Sequence, residues 1–211
     1  VWRPEHSGCF TIKSAFNLVR RQSSPSPLFK RIWHQGVPLR ISFFLLRLLR
    51  DRLPLDGTLW KLGIHGPSRC VCCASPEVET TEHVFATGDM ARQVWHFFGD
   101  SVGVAWTGLA FRVCMAAWWQ GKRGNKFLKF IHLVTPLLIC WHIWKARNGM
   151  KYDGQKIEGV RICHGIVVEL LQLFRVQVPE CRVSSIAWVE FYLEVSSWNA
   201  ARSYMLVKWV R

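Results

Sequence analysis

The chain has 211 residues, half of them apolar and 13% aromatic, with 28 Lys and Arg against 14 Asp and Glu for a formal charge of +14. That much apolar surface excludes a disordered chain, because its burial can offset the entropy of ordering. Excess positive charge directs attention to polyanions, nucleic acid first among them, and names no reaction.

At the amino end a Ser7-Gly8 turn and a strand-like Cys9-Phe10-Thr11-Ile12 predict a short strand pair, followed by a helix capped at Ser14 and running through Val19. Ser23-Ser24-Pro25-Ser26-Pro27 reads as a linker, because two prolines among serines do not sustain a helix. Phe29, Ile32 and Trp33 then recur at helical spacing. After Pro38 a strong helix is expected from Ile41 to Arg52, apolar over most of its circumference with Arg40, Arg47 and Arg50 on a narrow stripe. A short helix over Gly57 to Leu62 precedes a cysteine-rich loop at 70–83. Further helices are expected at Glu82–Phe98, Leu109–Trp119, Phe127–Arg147, Ile157–Phe174 and Ile186–Val207. Breaks fall at Gly99–Gly108 and at the basic, glycine-rich stretch Gln120–Lys126. The longest apolar run, Phe130 to Trp144, is 15 residues and short of the roughly 20 that a membrane span needs, so it reads as a buried core helix.

Eight cysteines are present, and five of them (Cys9, Cys114, Cys140, Cys163 and Cys181) lie scattered in apolar patterns as small hydrophobes. No secretory leader opens the chain, so a reducing compartment is expected rather than a disulfide framework. The other three form Cys70-Val71-Cys72-Cys73, with His83 ten residues on at a helix start. Cys70-x-x-Cys73 has zinc-knuckle spacing, in which two thiolates one turn apart face a single ion and an imidazole adds a third donor. Asp89 and Cys72 are the available candidates for a fourth ligand, and a loop of reduced thiols is the alternative. His132 and His142, inside apolar helix, are expected to be satisfied core residues.

Taken in order, Trp2, the run Ser7 to Phe16, Ile32-Trp33, Pro38 to Leu49, Arg52-Leu53-Pro54, Cys70-x-x-Cys73, Glu79-Thr80-Thr81-Glu82-His83-Val84-Phe85 and Val94-Trp95 resemble the zinc-binding region that follows the polymerase in plant LINE-type (non-LTR) retrotransposon reverse transcriptases. Downstream, Trp141-His142-Ile143-Trp144-Lys145-Ala146-Arg147-Asn148 is similar to the Trp-x-x-Trp-Lys-x-Arg-Asn segment that these proteins carry ahead of a ribonuclease H domain. The resemblance implies structural zinc on Cys70, Cys73 and His83. The family's fourth ligand is a Cys five positions after the His, where this chain has Gly88.

The expected fold is therefore mainly α: a helical domain at 1–98 with the cysteine loop and the N-terminal strand pair, a connecting segment at 99–126, and a second helical region at 127–211 leading towards an absent ribonuclease H domain. The chain reads as an excerpt of a longer polypeptide, with adjoining polymerase and ribonuclease H domains as partners and no membrane association. Residence is expected to be nuclear or cytoplasmic. Polymerase and ribonuclease H chemistry both need clustered carboxylates holding two metal ions, and Asp51, Asp56, Asp89, Asp100 and Asp153 stand isolated, so no catalysis is expected.

Residues 1–69 carry 12 Lys and Arg against three acids. Arg20, Arg21, Lys30, Arg31, Arg40, Arg47 and Arg50 are the candidates for a face that holds RNA or DNA phosphates, against the plain alternative of a solvated surface. The expected function is a non-catalytic accessory module. The alternatives are a protein-interaction module, docking through the 109–211 half, and a decayed element without selected function.

Overall fold

The computed structural model describes residues 1–19, 27–66, 68–74, 77–102, 104, 110–120 and 126–177. The described elements are helical: α1 (Ile12–Val19), α2 (Pro27–Ile32), α3 (Leu39–Leu49), α4 (Asp56–Lys61), a π-helical turn (His83–Thr87), α5 (Asp89–Val102), α6 (Phe111–Gln120), α7 (Lys126–Tyr152) and α8 (Gly159–Gln177). The fold is mainly α, as expected.

The N-terminal strand pair is a correction: no strand occurs among the described residues. Residues 1–8 instead close a turn, with the Trp2 N–H donating to the Gly8 carbonyl and the Gly8 N–H to that of Glu5. Helix α1 starts at Ile12 because Thr11, not Ser14, is its cap. The Thr11 Oγ1 accepts the Ser14 N–H at 3.1 Å, and the Ser14 hydroxyl lies 3.3 Å from the Thr11 N–H, a reciprocal box that satisfies donors a strand would have had to pair.

Helix α7 organises the core. It packs against α3, α5, α6, α8 and the π-helical turn. One continuous apolar cluster runs from Ile32 on α2 through Phe85, Trp95 and Trp118 to Phe174 on α8. The Trp-x-x-Trp segment has a packing role here: Phe44 of α3 lies 5.3 Å from the Trp141 ring and 5.9 Å from that of Trp144.

Pro136 lies within α7 and brings no N–H to the carbonyl one turn back, that of His132. Trp118 of α6 supplies the missing donor, its Nε1–H reaching the His132 oxygen at 3.0 Å. The adjacent Trp119 donates to the Leu133 oxygen at 3.3 Å. At its other end α7 turns back through Gly154, whose φ of +63° lets the Gln155 N–H return to the Gly149 carbonyl.

Helix α5 passes through Gly99, where a break was expected, and reaches Val102. Glycine is required at that position, because a Cβ there would sit 2.4 Å from the Val104 carbonyl oxygen as the chain leaves the helix. The linker core at 23–26, the stretch 121–125, Cys181 and the helix expected at Ile186–Val207 lie outside the described residues.

Candidate metal centre

The cysteine loop is closed by the Cys70 N–H donating to the Glu77 carbonyl and by the Glu79 N–H donating to the Ser68 hydroxyl. The next segment is capped by Thr80, whose Oγ1 accepts the His83 N–H at 3.1 Å and so starts the turn that aims the imidazole at the loop. The helix then widens. The Gly88 N–H bonds the His83 carbonyl five residues back, and the Phe85 carbonyl accepts the buried Trp95 Nε1–H at 2.8 Å.

This local folding brings Cys70, Cys73 and His83 together, with their ligand atoms all within 4.8 Å of one another. The two sulfurs are 3.9 Å apart. A tetrahedral ion with Zn–S bonds of about 2.3 Å separates two sulfurs by about 3.8 Å, so the pair matches the ion's requirement. On His83, Nδ1 lies 2.7 Å from a Glu77 carboxylate oxygen, and the buried Nε2 has no hydrogen-bond partner among the described residues. A carboxylate on the far nitrogen orients a ligating imidazole and fixes its tautomer.

The surroundings of Cys70 and Cys73 favour the protonated form of both thiols. A hydrogen bond with Cys72 and burial push the Cys70 thiol far above its ordinary range. Burial and the neighbouring Cys70 push Cys73 up to about 11 against the opposing pull of the Met90 and Asp89 N–H groups. The Asp89 N–H donates to the Cys73 sulfur at 3.2 Å. That donor sits at the start of α5, a position suited to a thiolate once a cation removes the proton.

Gly88 occupies the open side. A Cβ there would lie 2.9 Å from the Cys73 sulfur and 3.2 Å from His83 Nε2, so a side chain at this position enters directly between two of the ligands. It would also lie 2.6 Å from the His83 carbonyl oxygen, which the π-helical turn has brought close. Asp89 and Cys72 stand outside the 4.8 Å group. The exposed Asp89 carboxylate is 3.8 Å from Arg92, and Cys72 is spent on the Cys70 thiol.

Below the loop lies a polar cluster that reading the sequence did not single out as a site. Glu79 and Arg147 are both wholly buried and bonded in two places: Nε to Oε1 at 2.7 Å, and Nη2 to Oε2. Lys151 bridges Glu79 at 3.2 Å and Asp56 at 2.7 Å, while the Asn148 Oδ1 accepts from Arg147 Nη1 at 2.9 Å. The guanidinium also lies 5.2 Å from the Trp144 ring. Burial opposes the Arg147 charge, but the Glu79 carboxylate outweighs it and holds the guanidinium above its usual range. A signal was present in the sequence: Arg147 falls four and eight residues after Ile143 and Ile139, on the apolar face of its helix.

The basic candidates are less gathered. Arg40, Arg47 and Arg50 are exposed along one stripe of α3, and Lys30 and Arg31 are exposed on α2. Arg31 lies 5.4 Å from the Trp119 ring, Arg50 lies 5.6 Å from the Phe29 ring, and Arg40 pairs with Glu169 at 3.1 Å. Arg20 and Arg21 lie outside the described residues. His142 has a partner, as expected, with its Nε2 2.9 Å from Glu169. That carboxyl is held down to about 2 by the His142 hydrogen bond, against burial, with Lys145 and Arg40 adding to the effect. No helix among the described residues is long and apolar enough to cross a membrane.

Residues 10–95 match the family model described as zinc-binding in reverse transcriptase. No match was found to a curated protein or to a solved structure.

Proposed function

We propose that this chain is a non-catalytic accessory module of a LINE-type reverse transcriptase of plant retroelements, holding structural zinc on Cys70, Cys73 and His83 and contacting nucleic-acid phosphates through a basic face. One observation carries the reading: the three donors converge at a spacing suited to zinc inside the stretch that matches the reverse transcriptase zinc-binding model. Bound there, the ion's contribution is a cross-link. It would tie the cysteine loop to the π-helical turn ahead of α5, because structural sites of this kind add their binding free energy to folding. Gly88 leaves the fourth position to solvent or to a swing of the Asp89 side chain.

Supporting the absence of catalysis, Asp51 pairs with Arg112 and Asp56 with Lys151, so these carboxylates are engaged with cations of the fold. Supporting the nucleic-acid role are the net charge and the exposed arginines of α2 and α3. Elemental analysis of the purified chain tests the metal. One zinc per chain is expected, lost in Cys73→Ser, and Gly88→Cys should raise affinity if the π-helical turn yields. Absence of zinc from the wild type overturns the metal reading. Filter binding to single-stranded RNA tests the other part, where salt-independent or absent binding overturns it.

A second reading is favoured by α1, which leaves Ile12, Phe16, Leu18 and Val19 exposed and buries only Ser14. On this reading α1 covers itself against the adjoining polymerase domain of a parent polypeptide, ahead of a ribonuclease H domain, and the module acts as a brace.

A further inference from the structure

Helix α3, with Arg50 at its C-terminal cap, presents to solvent a stripe at 39, 40, 43, 47 and 50, the spacing of one helical face. It reads Leu39, Arg40, Phe43, Arg47, Arg50: a large aromatic ring set one turn from an arginine on either side. Phe43 is 56% exposed, although its neighbour Phe44 is buried. Beside it Trp33, at the end of α2, is 44% exposed, and the two rings meet edge to face at 5.3 Å and 86°. Two large rings therefore stand in water, held perpendicular to each other by mutual contact and flanked by cations. Of the twelve tryptophans, Trp95 and Trp118 lie wholly in the core, so the packing does bury indoles where it needs them. The only described carboxylate paired with this stripe is Glu169, which engages Arg40 and leaves 66% of that side chain accessible.

We infer that Trp33 and Phe43, with Arg40, Arg47 and Arg50, form a binding site for single-stranded nucleic acid, in which unpaired bases stack on the two rings while the arginines hold the phosphates. This deepens the proposed nucleic-acid role and rests on it. The physical ground is division of labour. Arginines alone bind any phosphate backbone, duplex or single strand, by counterion release. Exposed rings discriminate, because only unpaired bases offer π-faces to stack, and they do so with little regard to sequence. Helix α3 has 11 residues and carries Phe43 between Arg40 and Arg47, while Trp33 is brought to that ring from the end of α2.

The test is fluorescence anisotropy with labelled oligonucleotides of about 12 nucleotides, within the usual site size for such grooves. Three probes share one length: a single strand, its duplex, which carries twice the phosphates, and a single strand whose bases are removed, which keeps the first probe's phosphate count. Wild type should prefer the single strand, and should bind the abasic probe about a hundredfold more weakly, about tenfold for each ring left without a base. Trp33→Leu and Phe43→Leu should each weaken single-strand binding about tenfold while leaving abasic binding and the salt slope unchanged. Arg47→Gln should lower the slope by about one on all probes. Circular-dichroism melts matching wild type would show that these surface variants fold. Leucine variants that bind as wild type, or equal affinity for normal and abasic strands, overturn the stacking site while the phosphate role stands. Failure of every probe to bind overturns both. Ring-dependent binding to anionic phosphatidylserine vesicles, with none to oligonucleotides, assigns the stripe to a lipid surface and overturns the inference as well.

Discussion

The cysteine loop and helix α7 solve the same problem by opposite means. Helix α7 is covered by neighbours along most of its described length, and from Val134 to Cys140 it carries an unbroken run of buried side chains. Residues 68–88 bury few large apolar groups before Val84 and depend on hydrogen bonds, thiols and one imidazole. Burial of apolar area is non-directional and holds a helix in place without naming its neighbours atom by atom. Polar and metal contacts are directional, so the loop is only as well defined as its partners. The two regimes meet at Glu79, which lies four residues before His83 of the candidate metal centre and whose carboxylate ends on Arg147 of α7. The loop therefore borrows rigidity from the apolar half through one buried ion pair.

Breaking that joint should have the largest effect. Arg147→Ala leaves the Glu79 carboxylate buried beside Lys151 alone, and urea denaturation should show a loss of about 3–5 kcal/mol. If the loss is within 0.5 kcal/mol, the two regions are independent and the comparison fails. Zinc comes next. At a hundredfold excess over its dissociation constant it should add about 2.7 kcal/mol, with added hydrogen-exchange protection confined to the loop and the start of α5. Protection spread evenly into α8 would mean that the metal organises the whole domain.

Acid should act on the α7–α8 face. Glu169 falls from 4.5 to about 2 in the folded chain, so its stabilisation is fully present above pH 4.5 and is lost as pH falls towards 2. The loss should be roughly 2 kcal/mol, allowing for the exposure of Arg40 and Lys145, and absent in Glu169→Gln. The smallest expected effect sharpens the metal site. Glu77→Ala removes the carboxylate on His83 Nδ1 and should weaken zinc about tenfold in competition with a chromophoric chelator, with no change in the urea midpoint of the metal-free chain.

Much of the helical architecture was legible because its signal is periodic. Apolar spacing located α3, α7 and α8 to within a few residues, and Cys70, Cys73 and His83 were legible because ligand types at a knuckle spacing are rare outside such sites. What escaped depended on partners distant in sequence. Thr11 and Ser14 both look like caps, and only the reciprocal bond decides between them. A strand pair needed a second strand, and the Gly8 turn supplied a helix start instead. Arg147 stands out only by its place on an apolar helix face, and Glu79, 68 positions away, looks like an ordinary loop charge until the fold closes one over the other. The π-helical turn at His83 had no local signature, since it depends on Trp95 taking up the Phe85 carbonyl.

The proline in α7 carries a consequence for assembly. A proline inside a helix ordinarily costs about 3 kcal/mol, chiefly through an orphaned carbonyl and a steric clash one turn back. Here that vacancy occurs at one height along the described helix, and the tandem indoles of α6 fit it from outside. Apolar packing alone would let α6 slide by a turn at little cost, since one greasy groove resembles the next. A keyway cut at Pro136 gives α6 a single seat, and through the Glu82 carboxylate, which accepts the Phe111 N–H at the head of α6, that seat also fixes where the imidazole-bearing turn comes to rest.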